Sequence, residues 1–203
     1  MNLHNKRNEK MDKHIRIHQE EQGGVLKLAR FIDEQIPTEK QPIVTVCIGT
    51  DRSTGDALGP LIGMKLKRRL PHHSIYGTLE SPVHALNLEE TLKNIEASYN
   101  DPFIIGIDAC LGKLSSIGII AASDGPVKPG AGVNKQLPPV GNMHITGIVN
   151  INGFMQHIVL QNTRLHLVMS MADFITESLV LSLRRYHAHS LTKERSSKSS
   201  NTV

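Results

Sequence analysis

Two aspartates, each placed after an apolar run, have the residue type and spacing for acid–base chemistry. Asp56 lies in the string IGTDRSTGDALGP, just after the apolar run 42–49, and Asp108 ends the apolar run 102–108. If both runs are parallel strands, their carboxyl ends meet at the sheet edge where ligands bind. Two carboxylates held together there cannot both ionise easily, so one would act as base and the other as acid. Such a pair could activate water and protonate the leaving nitrogen of an amide.

Asp51 and Arg52 stand in the same string, and we expect them to orient or tune the pair. Arg52 is close enough in sequence to pair with a carboxylate and lower its pKa, the opposite of what a general acid needs. Structural roles stay open for the pair itself. Asp56 could cap a helix, and Asp108 could form a salt bridge or an Asx-turn.

Histidine and cysteine add one candidate ligand and one thiol. Of 11 histidines, His144 in GNMHITG is a core or loop residue, a metal ligand or an acid–base partner. His72 and His73 are adjacent, so on a regular element their side chains point apart. Cys110 has no neighbouring base identifiable from sequence, which favours a structural thiol over a nucleophile.

The elements that must position these residues alternate along the chain. The patterns predict strands at 42–49, 74–80, 102–108, 116–123 and 163–170, helices at 23–36, 57–70, 87–99, 153–162 and 171–189, and loop over most of 124–153. This alternation favours an α/β fold, a mostly parallel sheet with helices on both faces in a three-layer αβα arrangement.

Length and composition predict a single domain with charged ends. Within 203 residues we expect a flexible charged segment at 1–22, one α/β domain at 23–189 and a disordered basic tail at 190–203. The end segment 184–203, with five basic side chains and one acidic, accounts for most of the excess positive charge. Aromatic residues make up only 3%, which argues against direct nucleic-acid binding. No apolar run is long enough for a membrane span, and two cysteines imply no disulfide framework, so we expect a cytoplasmic protein.

The glycine-containing string is not a nucleotide-binding motif. GTDRSTG lacks the Lys-Ser/Thr ending of a Walker loop and the G-x-G-x-x-G spacing of a dinucleotide site. Nucleotide binding is therefore disfavoured.

The string GTDRSTGDALGPLIG, with the later IIGIDA, resembles the YyaC-type sporulation protein family of spore-forming Firmicutes from about Gln41 to the final helix. DALGP followed by a strand ending in IDA is also similar to the spore germination protease, an atypical aspartic endopeptidase that degrades small acid-soluble spore proteins. Its two motif aspartates, held to be catalytic, match Asp56 and Asp108. A more distant likeness to the hydrogenase maturation proteases implies a phosphorylase-like α/β fold. The nickel-binding cleft of those proteases would correspond here to Asp56, Asp108 and His144.

The resemblance implies an aspartate-dependent endopeptidase of the sporulating cell or spore. It would need no cofactor and would act on a protein or peptide, with small spore proteins as candidate substrates. Two alternatives stay open, a catalytically silent homologue that binds a partner protein and a nickel-dependent maturation peptidase. The chain is far shorter than the germination protease and shows no obvious removable propeptide. A homodimer would use the apolar C-terminal helix.

Overall fold

The computed structural model describes residues 14–38, 41–130 and 137–199. It contains a six-stranded sheet with helices on both faces. The strands are β1 (His14–His18), β2 (Ile43–Cys47), β3 (Ser74–Tyr76), β4 (Phe103–Gly112), β5 (Ile119–Asp124) and β6 (Met143–Ile151). The helices are α1 (Gly24–Gln35), α2 (Leu58–Arg69), α3 (Leu88–Ser98), α4 (Gln156–Gln161) and α5 (Leu165–Ser199), with a short 3-10 helix at Leu114–Ser116.

The strands follow the order β1-β5-β6-β4-β2-β3. β3, β2, β4 and β6 are parallel, whereas β5 runs antiparallel to both β6 and β1. β2 and β4 are direct neighbours, so the two strands that precede the candidate aspartates lie side by side. The predicted α/β fold with a mostly parallel sheet is confirmed.

Alternate residues of β2 serve two separate cores. This strand of β-branched residues is buried throughout, as expected for a strand covered on both faces. Ile43 and Cys47 join the core formed with α1, α2 and α5, and Val44 and Val46 join the core formed with α3. These two cores make the three-layer αβα arrangement.

Helix α5 is the longest element and packs along α1 and α2. Its segment Leu165–Ala188 is, among the described residues, the one helix long and apolar enough to cross a membrane by length and composition. More than half of its most apolar window is buried inside the molecule, where Val168, Met171 and Ile175 are fully buried.

Two segments differ from the prediction in the second half of the chain. Residues 143–151 form strand β6 instead of loop, because alternate side chains such as Met143 and Ile145 fill the core, while Gly147 admits Leu58 and Met171. Glycine, histidine and asparagine weaken the strand pattern there. Residues 165–170 begin α5 instead of forming a strand, because their apolar residues continue the helical spacing of the following segment.

The predicted boundaries also need correction at both ends. Residues 14–18, placed in the flexible segment, form β1, and Ile17 is only 2% exposed. Residues 190–199, placed in the disordered tail, continue α5. Residues 1–13 and 200–203 of the predicted end segments lie outside the described residues. Residues 131–136 of the predicted loop and residues 39–40 also lie outside them.

Candidate active site

Asp108 lies where strand β4 loses one of its two neighbours. β4 continues beyond the predicted strand end, to Gly112, but it pairs with β2 only as far as Ile107. On its other side Asp108 still pairs with Thr146 of β6. The side of Asp108 that faces β2 is therefore open for a ligand, and Asp108 Oδ1 accepts a hydrogen bond from the N–H of Ala109 at 2.9 Å.

Asp56 reaches the same edge through a tight loop between β2 and α2. The N–H of Thr50 donates to the Asp56 carbonyl at 3.1 Å, which folds the loop back on itself. Gly49 has φ +148°, and a Cβ there would lie 2.0 Å from the Asp56 carbonyl oxygen, so only glycine fits. The N-cap of α2 is Ala57 and no side chain caps it, so the helix-capping alternative for Asp56 finds no support.

Asp56 and Asp108 both line one cavity of about 210 Å³ at the carboxyl edge of the parallel strands. The loop after β2 and the end of β4 form two of its walls, and residues just before α3, residues of α4 and residues between β5 and β6 form the others. Its other lining residues are Ile48, Gly49, Thr50, His84, Ala85, Ala109, Cys110, Leu111, Pro129, Gly130, Leu137, His157 and Leu160. The structure thus brings together the two aspartates that the sequence predicts as a pair.

Burial shifts both carboxyl groups toward the protonated form. The pKa of Asp108 is raised to about 8, mainly by burial. The hydrogen bond from Ala109 partly opposes this rise, and the negative charge of Asp56 contributes to it. Burial also raises the pKa of Asp56. Because the charge of one affects the other, the two groups form an interacting pair in which Asp108 holds its proton near neutral pH.

Helix α4 holds the Asp56 loop in place. The N–H of Gly55, next to Asp56, donates to the carbonyl of Leu160 at 2.9 Å. The helix is tied in turn to β6, because Asn150 Nδ2 donates to Val159 O at 3.1 Å and to Thr163 Oγ1 at 3.2 Å. A hydrogen-bonded path therefore runs from β6 through α4 to the loop that carries Asp56.

Cys110 faces the cavity as a protonated thiol. Burial is the main cause that raises its pKa to about 11, and a hydrogen bond with Thr146 only partly opposes the shift. A thiol with such a pKa is a poor nucleophile at neutral pH, in keeping with the structural role favoured from sequence.

Three other predicted site residues lie outside the cavity lining. Asp51 and Arg52 are exposed, and the pKa of Asp56 is raised instead of lowered, so the expected tuning by Arg52 is wrong. His144 pairs with Gly106 across the sheet, and its Nδ1 lies 2.8 Å from the Gly125 carbonyl. It is a half-buried histidine with a backbone partner.

Two histidines missed by sequence reasoning line the cavity instead. His84 follows an isolated bridge between Ile48 and Val83, and its Nδ1 accepts a hydrogen bond from the N–H of Leu86 at 3.3 Å. His157 lies in the first turn of α4. Neither follows a recognisable strand in the sequence, so no pattern signalled them.

The donors needed for the nickel alternative are not assembled. Across residues 14–38, 41–130 and 137–199, no group of three or more His, Cys, Asp or Glu side chains could hold a metal ion. His144 lies away from the cavity, so the set of Asp56, Asp108 and His144 that the alternative names is not brought together.

A second cavity, of about 540 Å³, lies at the opposite, amino edge of the parallel strands. It contains His73 and His187, whose ring centroids are 5.7 Å apart. His73 Nε2 lies 2.9 Å from the hydroxyl of Thr45 inside the core, and burial lowers the pKa of His73 to about 4. This histidine is therefore neutral near pH 7.

Comparisons with known proteins agree with the resemblance seen in the sequence. A family model described as "Protein of unknown function (DUF1256)" matches residues 16–178. The uncharacterized protein YyaC of Bacillus subtilis (strain 168) is 57% identical over 145 residues, which is 71% of each chain. The crystal structure of a [NiFe] hydrogenase maturation protease, HycI from Thermococcus kodakarensis, covers 75% of this chain and 98% of its own, with a TM-score of 0.53 and 17% identity. This last likeness establishes the fold that the resemblance implies.

Proposed function

The chain belongs to the DUF1256 family, and we propose that it is an aspartate-dependent endopeptidase in which Asp108 and Asp56 are the catalytic pair. One observation carries the proposal. Asp56 and Asp108 line a single cavity, where burial and the Asp56 charge raise the pKa of Asp108 to about 8. An aspartic acid that keeps its proton beside a second aspartate is an arrangement that general acid–base catalysis uses.

The roles follow from which group keeps its proton. Asp56, in its ionised form, accepts a proton from a water molecule as the water oxygen bonds to the peptide carbonyl carbon. Asp108, in its neutral form, gives its proton to the amide nitrogen as the C–N bond breaks. The products are a carboxylic acid and an amine, and one proton passing from Asp56 back to Asp108 restores the starting pair.

The biological setting of the proposal comes from the family resemblance. We place the reaction in the cytoplasm of the sporulating cell or in the spore, with a protein or peptide as substrate and small spore proteins as candidates. No cofactor is required, because both proton transfers use side chains of this chain.

A peptidase assay on the purified full-length protein tests the proposal. The protein is incubated with a peptide library, and mass spectrometry detects new termini. Asp108→Asn and Asp56→Asn should each lower the cleavage rate by about 100-fold or more, since general acid–base groups contribute on the order of 10²–10⁴. Asp51→Asn is the matched control because Asp51 is exposed and outside the cavity lining.

Cleavage that persists in Asp108→Asn contradicts the proposal. In cells, the double variant Asp56→Asn/Asp108→Asn should reproduce the sporulation defect of a deletion. Normal sporulation of that variant, with a clear defect in the deletion strain, would instead favour the silent homologue that binds a partner.

A further inference from the structure

Large apolar side chains are exposed at the same edge as the aspartate cavity. Within the described residues, eight large apolar side chains are exposed, and six of them lie between β3 and α3, just after β4, or from the last residue of β6 through α4. These six are Leu86, Leu114, Ile151, Phe154, Met155 and Ile158, and we call them the apolar rim. Because these strands are parallel, the segments that follow them meet at one edge.

The apolar rim adjoins the cavity on two sides. Leu86 directly follows Ala85, which lines the cavity from the side of α3. Ile158 directly follows His157, which lines the cavity from the side of α4, and Phe154 lies three residues before His157. An enclosed polar centre with an apolar border is the usual composition of a site that binds a partly apolar ligand.

The exposure of these side chains calls for a partner. Phe154 is 99% exposed and Leu86 is 87% exposed. Large exposed apolar side chains gathered at one edge of a fold mark interaction sites. The segments 84–86 and 151–158 contain no Asp, Glu, Lys or Arg, and Lys113 beside Leu114 is the one charged residue next to a rim side chain in the sequence, so most of the partner surface is apolar and uncharged.

We propose that the apolar rim binds large apolar side chains of a peptide chain on either side of the bond to be cleaved, an inference that rests on the proposed function. A peptide fits better than a membrane, because surfaces that lie on membranes combine apolar residues with Lys and Arg. It also fits better than a second copy of this chain, since a copy seated on the rim would close the cavity to substrate.

The test measures peptide binding by the full-length Asp108→Asn protein, which separates binding from cleavage. The probes are two fluorescein-labelled Gly/Ser decapeptides, one with Leu and one with Ser at the two central positions. We expect fluorescence anisotropy to report at least tenfold tighter binding of the Leu peptide, and Phe154→Ser or Leu86→Ser to reduce this preference about tenfold. Leu26→Ser, an exposed leucine on α1 outside the rim, is the control and should leave the preference unchanged.

Each other outcome overturns a stated part. An unchanged preference in both rim variants overturns the rim proposal, even if wild-type protein cleaves peptides. Binding as expected without cleavage by the wild type overturns the proposed function and leaves the rim standing. If light scattering shows a dimer that is lost in Phe154→Ser, the occupant of the rim is a second copy of the chain and not a peptide. If the protein sediments with phosphatidylcholine vesicles and Phe154→Ser does not, the occupant is a membrane.

Discussion

Burial shifts the pKa of a titratable group in opposite directions in the two cavities, which lie at opposite edges of the sheet. At the carboxyl edge burial raises the pKa of Asp108 to about 8, and at the amino edge burial lowers the pKa of His73 to about 4. In both places the neutral form is favoured, as burial requires. Near neutral pH, however, the aspartate retains a transferable proton, whereas the histidine has lost one.

The partners of these groups separate a reactive edge from a structural one. His73 lies against the hydroxyl of Thr45, and the charge of His187 adds to burial in lowering its pKa. Asp108 lies near a second acid, Asp56, whose charge adds to burial in raising its pKa. Both groups therefore lie near a like charge, but only Asp108 keeps a transferable proton near neutral pH, which favours the carboxyl edge as the reactive one.

The largest expected effect is a gain of stability in Asp108→Asn. The pKa of this carboxyl rises from 3.8 in the unfolded chain to about 8 in the folded protein, so wild-type stability falls as pH rises between these values. The free energy of unfolding of the variant should therefore exceed that of the wild type by up to about 4 kcal/mol at pH 7 and should differ little from it at pH 3.5. Urea unfolding at both pH values measures it, and equal stability at pH 7 would contradict the assigned pKa.

The opposite slope is expected at the amino edge. His73 has a pKa of 6.5 when unfolded and about 4 when folded, so stability falls as pH drops from 6.5 to 4. His73→Gln keeps a polar group beside Thr45 but cannot titrate. Between pH 7 and pH 4 the variant should lose about 3 kcal/mol less unfolding free energy than the wild type. His72→Gln serves as the control. If wild type and His73→Gln lose the same unfolding free energy between pH 7 and pH 4, the pKa shift assigned to His73 is wrong.

The third prediction concerns the contact between α4 and the Asp56 loop. In Gly55→Ala the new Cβ would lie 2.8 Å from Leu160 Cδ2, 3.0 Å from Thr163 Oγ1 and 3.1 Å from Leu160 O, so the Leu160 side chain must turn and the contact between the loop and α4 must loosen. A displacement that reaches about 1 Å at Asp56 would lower turnover by about 100-fold. Gly153→Ala, where a Cβ meets nothing within 4 Å, is the matched control. Peptidase kcat measures the effect, and a Gly55→Ala protein with wild-type turnover shows that α4 does not position Asp56.

The smallest effect should come from Tyr186→Phe at the amino edge. The Tyr186 hydroxyl donates to Gln41 O at 2.8 Å and accepts from Gln41 N–H at 3.0 Å. Its loss should lower unfolding free energy by about 1 kcal/mol. Because this edge is structural, kcat should not change. A lowered kcat at unchanged stability would assign a functional role to the amino edge.

The sequence was most informative where strands are buried and uniform. The runs around Val44 and Ile105 have no charge and many β-branched residues, which fixes their element type and places Asp56 and Asp108 near one edge. The β6 segment was missed because Gly147, His144 and Asn150 interrupt its pattern, and only pairing with β4 and β5 and packing against Leu58 and Met171 make it a strand.

Side-chain neighbours were beyond the sequence for a different reason. His84 and His157 reach the cavity from segments far apart in the chain, so only the folded topology brings them together. Arg52 is near Asp56 in sequence but exposed in the structure, because the loop turns its neighbour Ser53 inward and leaves Arg52 outside.

The pairing of β1 with β5 links the start of the chain to residues synthesised about 100 positions later. During translation β1 therefore leaves the ribosome long before its partner exists, and the sheet closes only after β5 and β6 have emerged. Contacts of such long sequence separation slow folding. A chain lacking residues 14–18 would also expose the backbone edge of β5, which is a template for aggregation. In the folded protein β1 becomes the edge of the sheet, where the exposed charge of Arg16 discourages pairing with another chain.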